Sequence, residues 1–237
     1  AQQVDEHLAT CELPTLPRAA KGVAVAAADG KAAVVEVNTE TDFSAKHEDL
    51  VAFAGAVAAT ALASGETDVA AFASQTLADG RSVEEARLEL INSIGENISV
   101  RRIAQVAAGG PIGHYTHGAK IGAVVALDGG DEALARDIAM HVAATNPTCI
   151  DEKGVPAETL EKERRILTEQ AQDSGKPAEI VEKMVHGRIA KFLKEITLVG
   201  QPFVKDPDVT VGKLLKGAGA SVTDFVRYEV GEGIEKK

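Results

Sequence analysis

The chain repeats itself, and the repeat limits its fold more than any other feature. "AAVVEVN" at 32–38 returns as "GAVVALD" at 122–128, an offset of 90. "AGAVAAT" at 54–60 returns as "AMHVAAT" at 139–145, an offset of 85. "LINSIGENIS" at 90–99 returns as "LLKGAGASVT" at 214–223, an offset of 124. A chain that carries one pattern twice is built from related units. The first pair are short apolar runs entered from Gly- or Lys-containing turns, which suits buried strands. The second pair lie in helix-like stretches, 48–63 and 131–145. The later stretch has a capping signal at Asp128-Gly-Gly-Asp131 and stops before Pro147. The third pair take a helix end through Gly95 or Gly219 into a strand. The expected fold class is α+β: two related α+β subdomains with small antiparallel sheets, each strand–helix–helix–strand in outline. They are placed at 21–110 and 111–237, behind an extended lead-in at 1–20 that holds two prolines and no sustained periodicity.

Where the offsets differ, the halves differ in length. The step from 90 to 85 puts five extra residues into the first copy's strand-to-helix connection, Thr39–His47. The step to 124 opens a long insertion in the second copy. At about 156–197 this insertion reads as an antiparallel coiled-coil hairpin, with Pro177 at the first position of its second helix. Ile180, Met184, Phe192 and Ile196 are expected on the packed face, with Val181, Val185 and Ile189 widening it. A hairpin of this kind serves equally as a mechanical element or a docking arm. After it, "ITLVGQPFVKDPDVTVGKLLK" is expected to give a strand, a turn at Pro202, a second strand and a helix from about Thr210. "DFVRYEVGEG" (224–233) closes the second half as a strand, with Phe225, Arg227 and Glu229 on one face and Val226, Tyr228 and Val230 on the other.

Charge and composition narrow the function. The net charge of −11, with only short basic clusters such as Arg101-Arg102 and Arg164-Arg165, argues against direct contact with nucleic acid. Cys11 and Cys149 fit no metal spacing, and a reducing compartment is the simpler expectation. No apolar run approaches membrane length. The opening "AQQVDEHLATCELP" lacks a signal peptide's positive start and apolar middle. The expectation is a soluble, cytoplasmic protein without a membrane partner.

Chemistry-bearing motifs are few. His114-Tyr-Thr-His117 has a spacing that could supply two metal ligands on a helix, but Gly113 and Gly118 flank it and no cysteine or carboxylate completes a set. His141 sits in an apolar-rich helix, as a satisfied core or boundary histidine would. There is no G-x-S-x-G elbow. "GGPIG" (109–113) lacks the Lys-Ser/Thr of a phosphate loop. No metal, no cofactor and no catalytic residue is expected. What remains is Thr41-Asp42-Phe43. In a chain with 3% aromatics and no Trp, this connector spends one of six phenylalanines on a polar turn. Two readings stand: Phe43 folds back onto Leu50 or Phe53 as a hydrophobic staple while Asp42 caps the helix, or Phe43 is an exposed anchor for another protein. The extra length of this connector favours the second.

Several motifs, in order from about residue 21 onward, resemble the elongation factor Ts family: "EVNTETDFSAKHEDL" (36–50), "IGENISVRR" (94–102), "HYTHGAKIG" (114–122), "DIAMHVAATNP" (137–147), "GRIAKFLKEITLVGQPFVKD" (187–206) and "VGEGIEK" (230–236). The resemblance implies a two-part α+β core with a coiled-coil hairpin emerging from the second part. It implies a non-enzymatic guanine-nucleotide exchange factor that binds elongation factor Tu in its GDP form. Thr41, Asp42 and Phe43 would form the nucleotide-release wedge, with Phe43 entering beside the partner's magnesium site. Ile94, Gly95 and His117 would support it on the same partner domain. The hairpin would lie toward the partner's other face, and strands of the second half would mediate a homodimer. Residues 1–20 do not resemble the family's opening helical module, and the chain stops soon after "GEGIEKK". Both departures are expected to weaken the grip on the partner.

Overall fold

The computed structural model describes residues 20–41, 44, 47–172 and 177–234. Within them, both copies of the repeat begin as a β-hairpin. β1 (Ala20–Ala28) and β2 (Lys31–Thr39) pair antiparallel across Asp29-Gly30. Both turn residues have positive φ, 51° and 71°, the twist that a two-residue hairpin turn needs. β4 (Ile112–His117) and β5 (Ile121–Asp128) form the second hairpin. Helices follow, and then the third strand of each sheet returns to the middle strand. β3 (Ser99–Ala107) pairs with β2, and β8 (Ser221–Glu229) pairs with β5, giving the orders β1-β2-β3 and β4-β5-β8. The copies match in detail. Each middle strand carries one irregularity against its third strand, between Glu36 and Val37 in β2 and between Ala126 and Leu127 in β5. Those positions are 90 apart, the offset of the sequence repeat.

The middle strands are buried on both faces, which is why they read as unbroken apolar runs. Ala33, Val35 and Val37 pack under α1 (Glu48–Ser64), α2 (Val69–Phe72) and α3 (Val83–Ile94), against Leu50, Phe53, Val57, Phe72 and Leu90. Ala123, Val125 and Leu127 pack likewise under α4 (Glu132–Thr145) and α7 (Val211–Gly217). The alternate residues, Ala32 and Val34 of β2 and Val124 and Ala126 of β5, meet each other in a third cluster between the sheets. The order of layers is therefore helices, sheet, sheet, helices. Two glycines permit close approaches between layers. A Cβ on Gly122 would lie 2.5 Å from Val23 Cγ1 in the facing sheet, and one on Gly113 would lie 2.0 Å from the backbone carbon of Ala135 in α4.

Helix ends follow local chemistry. Ser82 and Glu85 form a reciprocal capping box on α3, which stops at Gly95 in the left-handed conformation. Asp131 caps α4, which stops at Asn146, also left-handed. Neither α1 nor α4 has a basic residue in its last turn. In both halves the third strand supplies a donor instead. Gln105 Nε2 donates to Ala61 O at the end of α1, and Arg227 Nε donates to Ala143 O near the end of α4. Gln105 pairs with Ala33 and Arg227 with Ala123, so the two donors occupy equivalent strand positions.

The α+β class, the small antiparallel sheets and the helical hairpin all match the sequence expectation. The edge strands β1 and β4 were not anticipated. The lead-in expected at 1–20 lies, except for Ala20, outside the described residues. In the hairpin, α5 (Ala157–Gln172) packs on α6 (Ala178–Ile196). The packed seam differs from the one expected. Val181, Val185 and Ile189 are its centre, facing Leu167 and Ala171, while Ile180 is 46% exposed. The seam has turned by one position because the flanking Leu193, not Phe192, continues it at the spacing of four. Pro177 is the cap that precedes the helix, and Ala178 is its first residue. The strand expected at "ITLVG" is instead a 3-10 turn, Leu198–Gly200. It is followed by the short pair β6 (Pro202–Phe203) and β7 (Asp206–Thr210), and α7 starts at Val211 with Thr210 as its cap. Among the described residues, no helix is long and apolar enough to cross a membrane.

Candidate functional site

The two copies of the repeat depart from each other at one end of the first sheet. Eight residues, 40–47, separate β2 from α1, whereas three, 129–131, separate β5 from α4. The five-residue excess is the one expected from the offsets. A second excess appears only in the structure. Three residues, Glu96-Asn97-Ile98, follow the left-handed Gly95 before β3 starts; one, Ala220, follows the left-handed Gly219 before β8.

The two excess pieces are bonded to each other. The Thr41 hydroxyl donates to Glu96 Oε1 at 2.6 Å, and the Thr41 backbone N–H donates to Glu96 Oε2 at 2.9 Å. In return, the Asn97 N–H donates to Glu40 Oε1 at 3.3 Å. Thr39 Oγ1 donates to Thr41 O at 3.2 Å, which tightens the exit from β2. Burial acts against ionisation of Glu96, but hydrogen bonds from Ser44 and Thr41 and from the backbone of Thr41 and Glu40 together outweigh it. The Glu96 carboxyl is held below its ordinary range. Asp42 and Phe43 lie outside the described residues. The residue that caps α1 is His47, whose side chain accepts from Asp49 N, so the cap is not Asp42.

Of the other expected site residues, Ile94 is half-buried against the first core and Gly95 ends α3 with φ 78°. No atom lies within 4 Å of where a Gly95 Cβ would stand, so the turn presents open backbone. Ile94 and Gly95 thus adjoin the Thr41–Glu96 pair in the chain and in space. His117 arrives from the other sheet, at the exposed end of β4. The turn beyond it reaches back to the first sheet, where Ala119 O accepts from Val23 N at 2.8 Å. His117 Nδ1 lies 3.4 Å from Tyr115 Oη. His114 and His117 are on a strand rather than a helix, and residues three apart on a strand point to opposite faces. They cannot share one metal ion.

Two groups with intrinsic reactivity are restrained by their surroundings. His141 is fully buried: Val204 N–H donates to its Nδ1 at 3.1 Å and its Nε2 meets Gln201 Oε1 at 2.9 Å. Burial lowers its pKa, with the Gln201 bond acting in the opposite sense. Cys149 Sγ donates to Asp151 O, and burial together with Asp151 raises the thiol pKa, which suppresses the thiolate.

Sequence reasoning passed over two carboxylates, Glu96 and Glu36. Glu36 is fully buried between the sheets, where its repeat partner is Ala126. Arg101 Nη1 donates to both of its oxygens, at 3.1 and 2.9 Å, and Arg102 Nε and the Gly231 N–H donate as well. The signal was available: one charge inside an apolar strand, facing an Arg-Arg pair. Thr41, Glu96 and the open Gly95 turn lie together at one end of the first sheet, while His117 lies at the exposed end of β4 in the other sheet.

A family model described as elongation factor TS matches residues 40–232. Elongation factor Ts of Hydrogenovibrio crunogenus is 60% identical over 220 residues, covering 92% of this chain and 75% of the relative. Elongation factor Ts of Thioalkalivibrio sulfidiphilus is 60% identical over 224 residues, covering 92% and 76%. That of Methylococcus capsulatus is 61% identical over 211 residues, covering 88% and 72%. The chain belongs to the elongation factor Ts family, and its role is in translation elongation.

Proposed function

We propose that this chain is a guanine-nucleotide exchange factor that binds elongation factor Tu in its GDP form and opens the magnesium and phosphate site, without making or breaking a covalent bond. The observation that carries this reading is the joint between Thr41 and Glu96. It brings the connector that bears Asp42 and Phe43 to the turn that follows Ile94 and Gly95. Two motifs assigned to one partner surface by resemblance are thereby neighbours in this fold.

The physics is linkage. A GTPase holds GDP through magnesium and a cradle of backbone donors. A protein that binds the nucleotide-free form more tightly than the GDP form weakens GDP by the same factor. Burial of one phenylalanine side chain contributes about 1.5–3 kcal/mol. A factor of ten costs about 1.4 kcal/mol, so Phe43 alone loosens the site about ten- to a hundredfold. Larger acceleration requires Ile94, Gly95 and His117 at the same surface.

The test is release of a fluorescent GDP analogue from elongation factor Tu, followed with and without the chain. A release rate that rises with chain concentration and saturates supports exchange. Binding with an unchanged release rate means a scaffold for the same GTPase and overturns the reading.

A further inference from the structure

We infer that Glu96 is a positioning residue for nucleotide exchange, fixing Thr41 at the root of the 40–47 connector. The inference rests on the exchange reading above and adds a residue to it. Its basis is internal to the chain. The second copy of the repeat has the same hairpin, the same strand irregularity and the same glycine helix end, but lacks both extra pieces. A domain of this shape therefore folds without the 40–47 connector and without Glu96-Asn97. In the first copy both are present and they bond reciprocally: Glu96 takes the Thr41 N–H and hydroxyl, and Glu40 takes the Asn97 N–H.

Two bonds from one carboxylate to one residue set an orientation, where a single bond would set only a distance. Thr41 is exposed, and it bonds to Glu96 and to the buried polar residues Ser44 and Thr39, none of which belongs to the apolar core cluster. The pair therefore holds little of the core together. It lies at the root of the connector, so its effect falls on the fraction of molecules in which Thr41 holds this geometry. A competent fraction reduced tenfold reduces insertion tenfold.

The experiment is GDP release from the partner GTPase at a series of concentrations, for wild type, Glu96→Ala, Glu96→Gln and Phe43→Ala, and for Glu96→Ala combined with Phe43→Ala. Glu96→Ala should lower the maximal release rate about tenfold, while the half-saturating concentration changes less than about threefold, because docking elsewhere is intact. Glu96→Gln, which keeps one acceptor, should fall between the two. In the Phe43→Ala background, Glu96→Ala should add less than about twofold. Thr41→Val removes the hydroxyl without disturbing α3 and should slow release in the same direction, should Glu96→Ala prove unstable. A wild-type maximal rate for Glu96→Ala beside a slow Phe43→Ala overturns the positioning role alone. Equal slowing by Glu96→Ala in both backgrounds also overturns it, since Glu96 would then act independently of the connector. A wild-type rate for Phe43→Ala overturns the exchange reading, and this inference with it.

Discussion

The carboxylate of Glu36 accepts the backbone N–H of Gly231 at 2.9 Å, across 195 positions of chain. The same carboxylate takes donors from Arg101 and Arg102, whose outer nitrogens continue to Glu232 O and Glu229 O. Arg102 also lies 3.9 Å above the Tyr228 ring. One buried charge thus joins the first sheet to the end of the second. Its repeat partner, Ala126, shows that the position itself does not require a charge. Replacing Glu36 by Gln leaves two guanidinium groups facing each other with a neutral acceptor. Removing one partner of a buried ion pair typically costs 3–5 kcal/mol, and the arginines here keep a quarter of their side-chain exposure. The expected loss is about 2–4 kcal/mol. Urea unfolding should show it as a lower midpoint with unchanged slope.

Glycines at different places should respond in opposite directions. Gly113→Ala forces a methyl group into the α4 backbone and should cost about 1–3 kcal/mol. Gly55 lies inside α1 and Gly187 inside α6, and neither has an atom within 4 Å of a built Cβ. Alanine there should raise stability by about 0.5–1 kcal/mol each, since helical glycine carries that entropic cost. Thermal unfolding of the three single variants checks all three signs.

His141 should give the protein an acid-sensitive core. The Val204 N–H occupies Nδ1, so the neutral ring carries its proton on Nε2, facing Gln201 Oε1. The folded-state pKa is lowered from 6.5, chiefly by burial. The unfolded chain therefore binds the proton first. Stability from this residue is complete above the ordinary histidine pKa and is lost as pH falls through 6.5 toward the folded value. His141→Gln should start less stable and lose less on acidification. Urea midpoints measured from about pH 7 to about pH 5 for both proteins test this.

Much of this architecture was legible because its signals are periodic or punctuated. Apolar runs two-sided in burial, the capping residue Asp131 and left-handed Gly95 all left clear marks in the sequence. The length excess at 40–47 was legible for a different reason: the chain contains its own shorter copy. What escaped was set by tertiary packing. β1 is rich in alanine, which suits helices better than strands, and only pairing with β2 makes it extended. The seam of α6 could not be separated from the adjacent stripe, because Ile180 and Val181 are equally apolar. Which of them is buried depends on the rotation imposed by α5. Glu96 was overlooked because a carboxylate in an acidic chain carries no distinguishing pattern until its partner, 55 positions away, is seen beside it.

The central claim is that Phe43, carried by the connector that Thr41 and Glu96 hold at its root, acts on another protein. The most direct measurement is the maximal rate of GDP release from elongation factor Tu with Phe43→Ala, beside wild type of equal thermal stability. Loss of one buried phenylalanine contact corresponds to a fall of about ten- to a hundredfold, and that is the expected result. A rate equal to wild type would contradict the claim.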